Sequence, residues 1–344
     1  MRISINSPVA IDFTEVGYGT AVNGIYHALK SNRHQVELDS PSAQIQFNWM
    51  QPHLYKQNFN KVYNILCFPW ESTEFRTGWL DICNGQTVDE IWTTSDWCKK
   101  IYEDLGVKKP IHVYPHGIDH VWKPKKRKPL REPGSKRNRP LKFLIVDAEA
   151  NRKGWQEAFD AFSAVFGTDA SQATLTIKTR QMCRVRWQDE LGMNRSATEL
   201  PNVTVKIGKW STREMVDLFH DHDVLIYPSW GEGWGLIPFQ FLATGGIAIT
   251  TKEWCHYSDY LGDFGLDSTY EQSPWRGEHE GLMCKPDKKH LEELVRKSHE
   301  EFDEQVKKAF KRSFQLHEEY DWDTITGPLF MRLADASNAK FDRL

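Results

Sequence analysis

No run of the chain approaches the roughly 18 uninterrupted apolar residues that a membrane span needs. No C-x-x-C pair occurs either. The six cysteines (Cys67, Cys83, Cys98, Cys183, Cys255 and Cys284) are scattered, which argues against a disulfide framework or a zinc site and for thiols in a reducing compartment. Met1-Arg2-Ile3-Ser4-Ile5 runs straight into a strand-like pattern with no signal-peptide core, so a cytoplasmic protein is expected. Solenoid-type repeats are missing too. What remains is an ordinary soluble composition, 40% hydrophobic and 26% charged, over 344 residues, enough for two domains with separate cores.

The net charge of −3 hides an uneven distribution. Between Lys123 and Arg139 nine Lys or Arg face one acid, Glu132, a local +8 that leaves −11 for the remainder. Pro124, Pro129, Pro133, Gly134 and Pro140 make this run a loop. It reads either as a solvated interdomain linker or, through Lys125, Lys126 and Arg127, as a contact to the phosphate backbone of nucleic acid.

Local patterns predict an α/β chain. Residues 2–5, a Gly17-Tyr18-Gly19 loop, a helix from Thr20 to Ser31 and a strand at Gln35–Leu38 form one βαβ unit. Strands are expected at 62–68, 90–95 and 111–114, the second followed by a helix through Leu105. A second set begins at Leu141–Val146 and continues through a helix ending at Phe166, strands at 173–178 and 203–207, and a helix from Ser211 capped by Glu214. Trailing helices cover 288–316 and 324–337.

The most informative stretch is Tyr227-Pro228-Ser229-Trp230-Gly231-Glu232-Gly233-Trp234-Gly235-Leu236-Ile237-Pro238. A buried strand ends in a glycine loop, an apolar helix follows, and Gly245-Gly246 precedes the next strand. Open α/β sheets bind ligands at such strand ends, where backbone N–H groups and a helix N-terminus favour an anion.

This stretch resembles the signature of family 4 nucleotide-sugar glycosyltransferases, P-S-x-x-E-G-F-G-L-P with a second Glu eight residues after the first. Pro228, Ser229, Glu232, Gly233, Gly235, Leu236, Ala243 and Gly245 match, with Trp234 as the aromatic; the proline is displaced to Pro238 and the second Glu is Gln240. Tyr114-Pro115-His116-Gly117-Ile118-Asp119 is similar to that family's exit from its first domain. The resemblance implies a GT-B fold, with two Rossmann-like domains facing each other across a cleft. Residues 1–122 would form the acceptor side, 123–140 a basic linker, 141–323 the donor side and 324–344 a helix crossing back.

It further implies a retaining, metal-independent transfer from a nucleotide diphosphate sugar used as co-substrate, with no cofactor. Glu232 would face the donor sugar and Gln240 the ribose, with Gly233, Trp234, Gly235 and Leu236 around them. Lys153 matches the diphosphate-binding lysine. The family's arginine is missing at Asp147 and Ala148, so Arg152 or Arg180 would replace it, and Gly17 and Gly19 would supply a first-domain loop near the donor. No first-domain His follows the 62–68 strand. Glu71 takes that place as the candidate base, with Trp70, Ser72 and His116 beside the acceptor. Two D-x-D pairs, Asp221-His222-Asp223 and Asp321-Trp322-Asp323, are read as chance and not as metal ligands.

Segments of the W-E-S-T and W-G-E-G-W-G-L-I-P type also resemble glycosyltransferases encoded by bacterial viruses. Some of these modify hydroxymethylated pyrimidines in DNA, so double-stranded DNA is the expected acceptor, and the host cytoplasm the expected location. Polysaccharide, protein or small-molecule acceptors, a silent sugar-nucleotide binder and an epimerase of the same fold remain alternatives. Oligomeric state is not legible.

Overall fold

The computed structural model describes residues 2–12, 17–31, 34–57, 62–131, 139–146, 151–181, 185–188 and 192–341. The expected Asp147, Ala148 and Cys183, and residues 132–138 of the basic run, lie outside them.

In the first half, strands β1 (Arg2–Asn6), β2 (Gln35–Leu38), β3 (Ile45–Trp49), β4 (Tyr63–Cys67), β5 (Glu90–Thr93) and β6 (Ile111–Val113) alternate with helices α1 (Gly17–Ser31), α2 (Trp79–Cys83) and α3 (Asp96–Asp104). They form one parallel sheet in the order β2-β1-β3-β4-β5-β6. In the second half, β7 (Leu141–Val146), α4 (Trp155–Phe166), β8 (Ala173–Thr179), β9 (Arg186–Gln188), β10 (Asn194–Ser196), β11 (Val203–Ile207), α5 (Thr212–Asp221), β12 (Val224–Tyr227), α6 (Leu236–Ala243), β13 (Ile247–Thr251) and β14 (Gly265–Leu266) follow. A hairpin of β15 (Ser268–Gln272) and β16 (Leu282–Pro286) leads to α7 (Lys288–Glu300), α8 (Phe302–Glu319) and α9 (Trp322–Phe341).

The second sheet is parallel in the order β11-β8-β7-β12-β13-β14. Counted within that half, this is the Rossmann order 3-2-1-4-5-6, whose strand order reverses between β7 and β12; the first sheet reverses between β1 and β3. The expectation of two parallel, Rossmann-like sheets therefore holds.

Both faces of each sheet are covered, as the nearly continuous apolar strands require. Phe143 and Ile145 of β7 enter one core with Phe159 and Phe162 of α4, while Leu144 and Val146 enter the opposite one with Phe239 and Phe241 of α6. In the first half Ile65 and Trp92 share a core with Ile25 of α1, and Leu66 and Ile91 share another with Tyr102 of α3. Phe330 and Leu333 of α9 are wholly buried in the first sheet's core. Helix α9 thus packs back on the first half through these two residues. No helix among the described residues is long and apolar enough to cross a membrane.

Several local expectations need correction. Gly17-Tyr18-Gly19 is the first turn of α1, not a loop before Thr20. The apolar strand β3 escaped notice because Ile45-Gln46-Phe47-Asn48-Trp49 carries two amides, yet all five residues are buried. Gln46 and Asn48 are satisfied by the carbonyls of Ser40 (2.8 Å) and Ile65 (3.0 Å). The helix expected over 288–316 breaks at Glu301 into α7 and α8.

Candidate active site

The two switch points face one another across a cleft of about 890 Å³, within the range of ligand sites. From the first sheet come Pro8 and Val9 after β1, Trp49 and Gln51 at β3, Glu71 after β4, and His116 after β6. The second sheet contributes Arg152 and Lys153 after β7, Lys178 and Arg180 at the end of β8, Trp210 after β11, and Tyr227 with residues 232–237 after β12.

Glu232 is the hub. Its Oε1 receives Lys153 Nζ at 2.7 Å, Ser229 Oγ at 2.8 Å, Tyr227 Oη at 3.0 Å and Arg152 Nη1 at 3.0 Å. Burial works to raise this carboxyl, but Arg152 and Lys153 outweigh it and hold the group down to about 2. Glu232 is therefore ionised at any working pH. Arg152 in turn donates to the carbonyl of Gly231 at 2.5 Å and reaches Glu71 Oε1 at 3.4 Å. Burial opposes its charge, but Glu232 and Glu71 more than offset that and raise it. Glu71 itself is raised, because burial and then Glu232 outweigh Arg152.

Lys153 ends a short 3₁₀ turn, Asn151–Lys153, that Trp230 N anchors through the Arg152 carbonyl at 2.8 Å. Gly154 caps α4 in the left-handed region, φ 66°, against the Pro228 carbonyl. Two backbones approach too closely there for a side chain, so the cation-bearing turn and the glutamate loop are built as one unit.

The cleft gathers most of the residues expected at a site: Gly17, Glu71, His116, Arg152, Lys153, Arg180, Glu232, Gly233, Trp234, Gly235, Leu236 and Gln240 all line it. Others it does not bring there. Gly19 is buried inside α1. Trp70 and Ser72, expected beside the acceptor, are wholly buried, and both donate to the Glu74 carbonyl, at 2.8 and 3.4 Å. His116 faces the cleft, but its ring is wedged between Trp49 (5.4 Å) and Trp234 (5.6 Å), and burial pushes its pKa down to about 3. Its ring is therefore neutral near pH 7 and packs between a tryptophan of each half.

The basic run needs the largest correction. Arg127 is buried and donates to the carbonyls of Phe219 (3.0 Å), His222 (3.2 Å), Lys125 (2.9 Å) and Thr244. It caps the C-termini of α5 and α6, whose last carbonyls lack helical partners. Those helix ends precede β12 and β13, at the end of the sheet opposite the cleft. Lys125 and Lys126 are exposed, but on that far end, where Lys125 N bonds the Thr244 carbonyl at 2.9 Å. Of the D-x-D pairs, Asp223 is taken by Arg139 (2.6 Å), while Asp321 caps the start of α9 through Asp323 N at 3.0 Å.

Sequence reasoning missed Tyr18, Trp49, Lys178, Trp210 and Tyr227 in the cleft wall, and His279 behind Glu71. The position of Lys178, at the carboxyl end of a parallel strand, was a signal that could have found it.

No protein-family model matches the chain, and no curated protein does. Solved structures do. Sucrose-phosphate synthase from Thermosynechococcus elongatus superposes with TM-score 0.67 at 14% identity, covering 97% of this chain and 99% of that one. The fold is GT-B. The catalytic domain of starch synthase IV from Arabidopsis thaliana, bound to ADP and acarbose, gives TM-score 0.62 at 12% identity over 98% and 99% of the two chains. WaaG, a glycosyltransferase involved in lipopolysaccharide biosynthesis, gives 0.59 at 12% over 95% and 98%. At these identities the likeness is one of architecture, and the chemistry has to be argued from the cleft.

Proposed function

We propose that this protein is a retaining glycosyltransferase that takes a sugar from a nucleotide diphosphate sugar held on the second sheet. The observation that carries the reading is Glu232 ionised between Arg152 and Lys153 where the two switch points meet. A donor diphosphate would compete with the carboxylate for the two cations, which then stabilise the charge developing on the leaving phosphate. Released from part of that pairing, the Glu232 carboxylate would accept sugar hydroxyls and oppose positive charge at the anomeric carbon. A group held down to about 2 cannot serve as a proton donor. Glu71, raised by burial, suits acceptance of a proton from the acceptor hydroxyl.

The test is a thermal-shift screen of nucleotide sugars, since a ligand stabilises the fold by mass action, followed by NMR of the product anomer. Glu232→Gln should lower turnover by roughly 100-fold or more while nucleoside diphosphate affinity holds or tightens, because the competing carboxylate charge is gone; an unaltered rate would sink the assignment. Binding without turnover would favour a silent binder, and an inverted product would end the retaining reading.

For the acceptor, duplex DNA carrying a hydroxymethylated pyrimidine is the finer reading that the narrower resemblance implies. The exposed Lys125, Lys126 and Lys128 favour it, although a duplex touching them must wrap the second domain to reach the cleft. Neutralising these three lysines should weaken DNA binding for all sequences and flatten its salt dependence by about one unit of slope per lost contact. Equal DNA affinity at low salt would remove this segment from any acceptor site.

A further inference from the structure

The β15–β16 hairpin belongs to the second half of the chain by connectivity, as a separate two-stranded sheet, but docks on the first half, on the segment that carries Glu71. Thr73 N donates to the Leu282 carbonyl at 3.0 Å, Leu282 N donates to Thr73 Oγ1 at 2.7 Å, and Arg76 Nε donates to the Glu278 carbonyl at 3.0 Å. Glu74 and Glu280 form an antiparallel bridge. The hairpin loop thereby sets His279 against Trp70, ring centroids 5.4 Å apart, with Nδ1 3.8 Å from Glu71 Oε2. That Nδ1 is buried and has no hydrogen-bond partner among the described residues.

Among the described residues, Glu71 thus has two side chains facing its oxygens, of unequal commitment. Arg152 holds Oε1 at 3.4 Å but also serves Glu232 and the Gly231 carbonyl. His279 Nδ1 stands just beyond hydrogen-bond distance of Oε2, at 3.8 Å. A buried carboxylate that loses its partner is costly unless another donor replaces it.

We propose that His279 is a positioning residue, which holds the Glu71 carboxylate in place once a donor diphosphate draws Arg152 away. The role rests on the donor site proposed above, because an anion bound there is what competes for Arg152. His279 does not line the cleft and acts through Glu71. Burial, then Arg152 and Arg76, push its pKa down to about 4, so before the donor arrives it is a neutral ring with an idle nitrogen.

The probe is whichever of UDP-glucose, UDP-N-acetylglucosamine and ADP-glucose raises the melting temperature of the full chain. Turnover and donor affinity are then measured for wild type, His279→Ala, His279→Asn, Glu71→Gln and the Glu71→Gln/His279→Ala double variant. His279→Ala should lower turnover about 10-fold or more while donor Kd stays within about 2-fold. His279→Asn, whose amide N–H lies near the Nδ1 position, should recover most of that loss. In the Glu71→Gln background, removal of His279 should cost nothing further, because the pair acts as one unit. The same loss in both backgrounds, or a loss that Asn fails to recover, overturns the proposal and assigns His279 a purely structural part. Wild-type protein that turns over no nucleotide sugar overturns the donor reading itself, and this role with it.

Discussion

Two Gly-X-Gly turns border the cleft, Gly17-Tyr18-Gly19 at the first switch point and Gly231-Glu232-Gly233 at the second, and they look alike as sequence. In the fold they do different things. The first is a helical turn, and a Cβ on Gly17 would meet only Leu236 Cδ1, at 3.6 Å. In the second, a Cβ on Gly231 would run into the Glu71 carbonyl and one on Gly233 into the Pro69 side chain, both well inside 3.0 Å. Glycine is required there because the other domain's backbone presses on the loop, not only because a ligand needs access. Thr94 Oγ1 closes the same seam by donating to the Gly233 carbonyl at 2.6 Å.

The residues between the glycines differ in the same sense. Glu232 takes four donors on one oxygen. The Tyr18 hydroxyl is buried without a hydrogen-bond partner among the described residues, and burial raises its pKa. One switch point is saturated by the protein and tied to the domain seam, whereas the other holds an unused donor. The loop that carries Glu232 is therefore also packed against the first half, and its geometry depends on how the halves meet.

The largest expected effect comes from breaking that seam. Gly233→Ala forces Pro69 or the loop itself to move, and overpacking of this kind costs about 1–3 kcal/mol, occasionally more. Because Glu71, Arg152 and Glu232 are mutually positioned across the same contact, turnover should fall by about 10-fold or more. A melting curve and a rate measurement check both. A variant with wild-type melting temperature and rate would mean that the halves are not in contact here in solution.

A smaller effect tests the saturation of Glu232. Its carboxyl is held at about 2 in the fold, against 4.5 unperturbed. A depressed pKa contributes stability that is fully present above the unfolded value and lost as pH falls through the folded one. The contribution is therefore intact above about pH 4.5, disappears toward pH 2, and amounts to about 3 kcal/mol. Glu232→Gln lacks it, so the stability difference between wild type and variant should shrink across that window. Denaturation curves that stay parallel from pH 5 to about pH 2 would show that the four donors do not depress this group.

Periodicity carried the second half of the chain well. Leu141–Val146, Ala173–Thr179, Val203–Ile207 and the capped α5 are short, strongly patterned elements, and the glutamate loop is bounded by unmistakable strand and helix signals. The amides inside β3 hid a strand because only tertiary partners satisfy them. Arg127 was misread because its neighbours in sequence are solvated lysines, whereas its partners, the ends of α5 and α6, lie about a hundred residues away. Much of the same holds for the site. Glu232, Lys153 and Gln240 were legible in a local motif; His279 was not, since nothing local relates residue 279 to residue 71 until the hairpin docks.

The smallest effect sharpens the comparison from its other side. Gly17→Ala adds a methyl where the nearest heavy atom is 3.6 Å away, an ordinary van der Waals distance, and it does so in the first turn of an α-helix. Alanine at a compatible helical position stabilises by about 0.4–1 kcal/mol, chiefly by restricting the unfolded chain. The melting temperature should therefore hold or rise slightly, while nucleotide-sugar affinity stays within about 2-fold of wild type, because the new methyl faces Leu236 at the cleft edge. If instead Gly17→Ala lowers the melting temperature or abolishes binding as Gly233→Ala is expected to do, then both switch points need bare backbone, and the contrast drawn between the two turns fails.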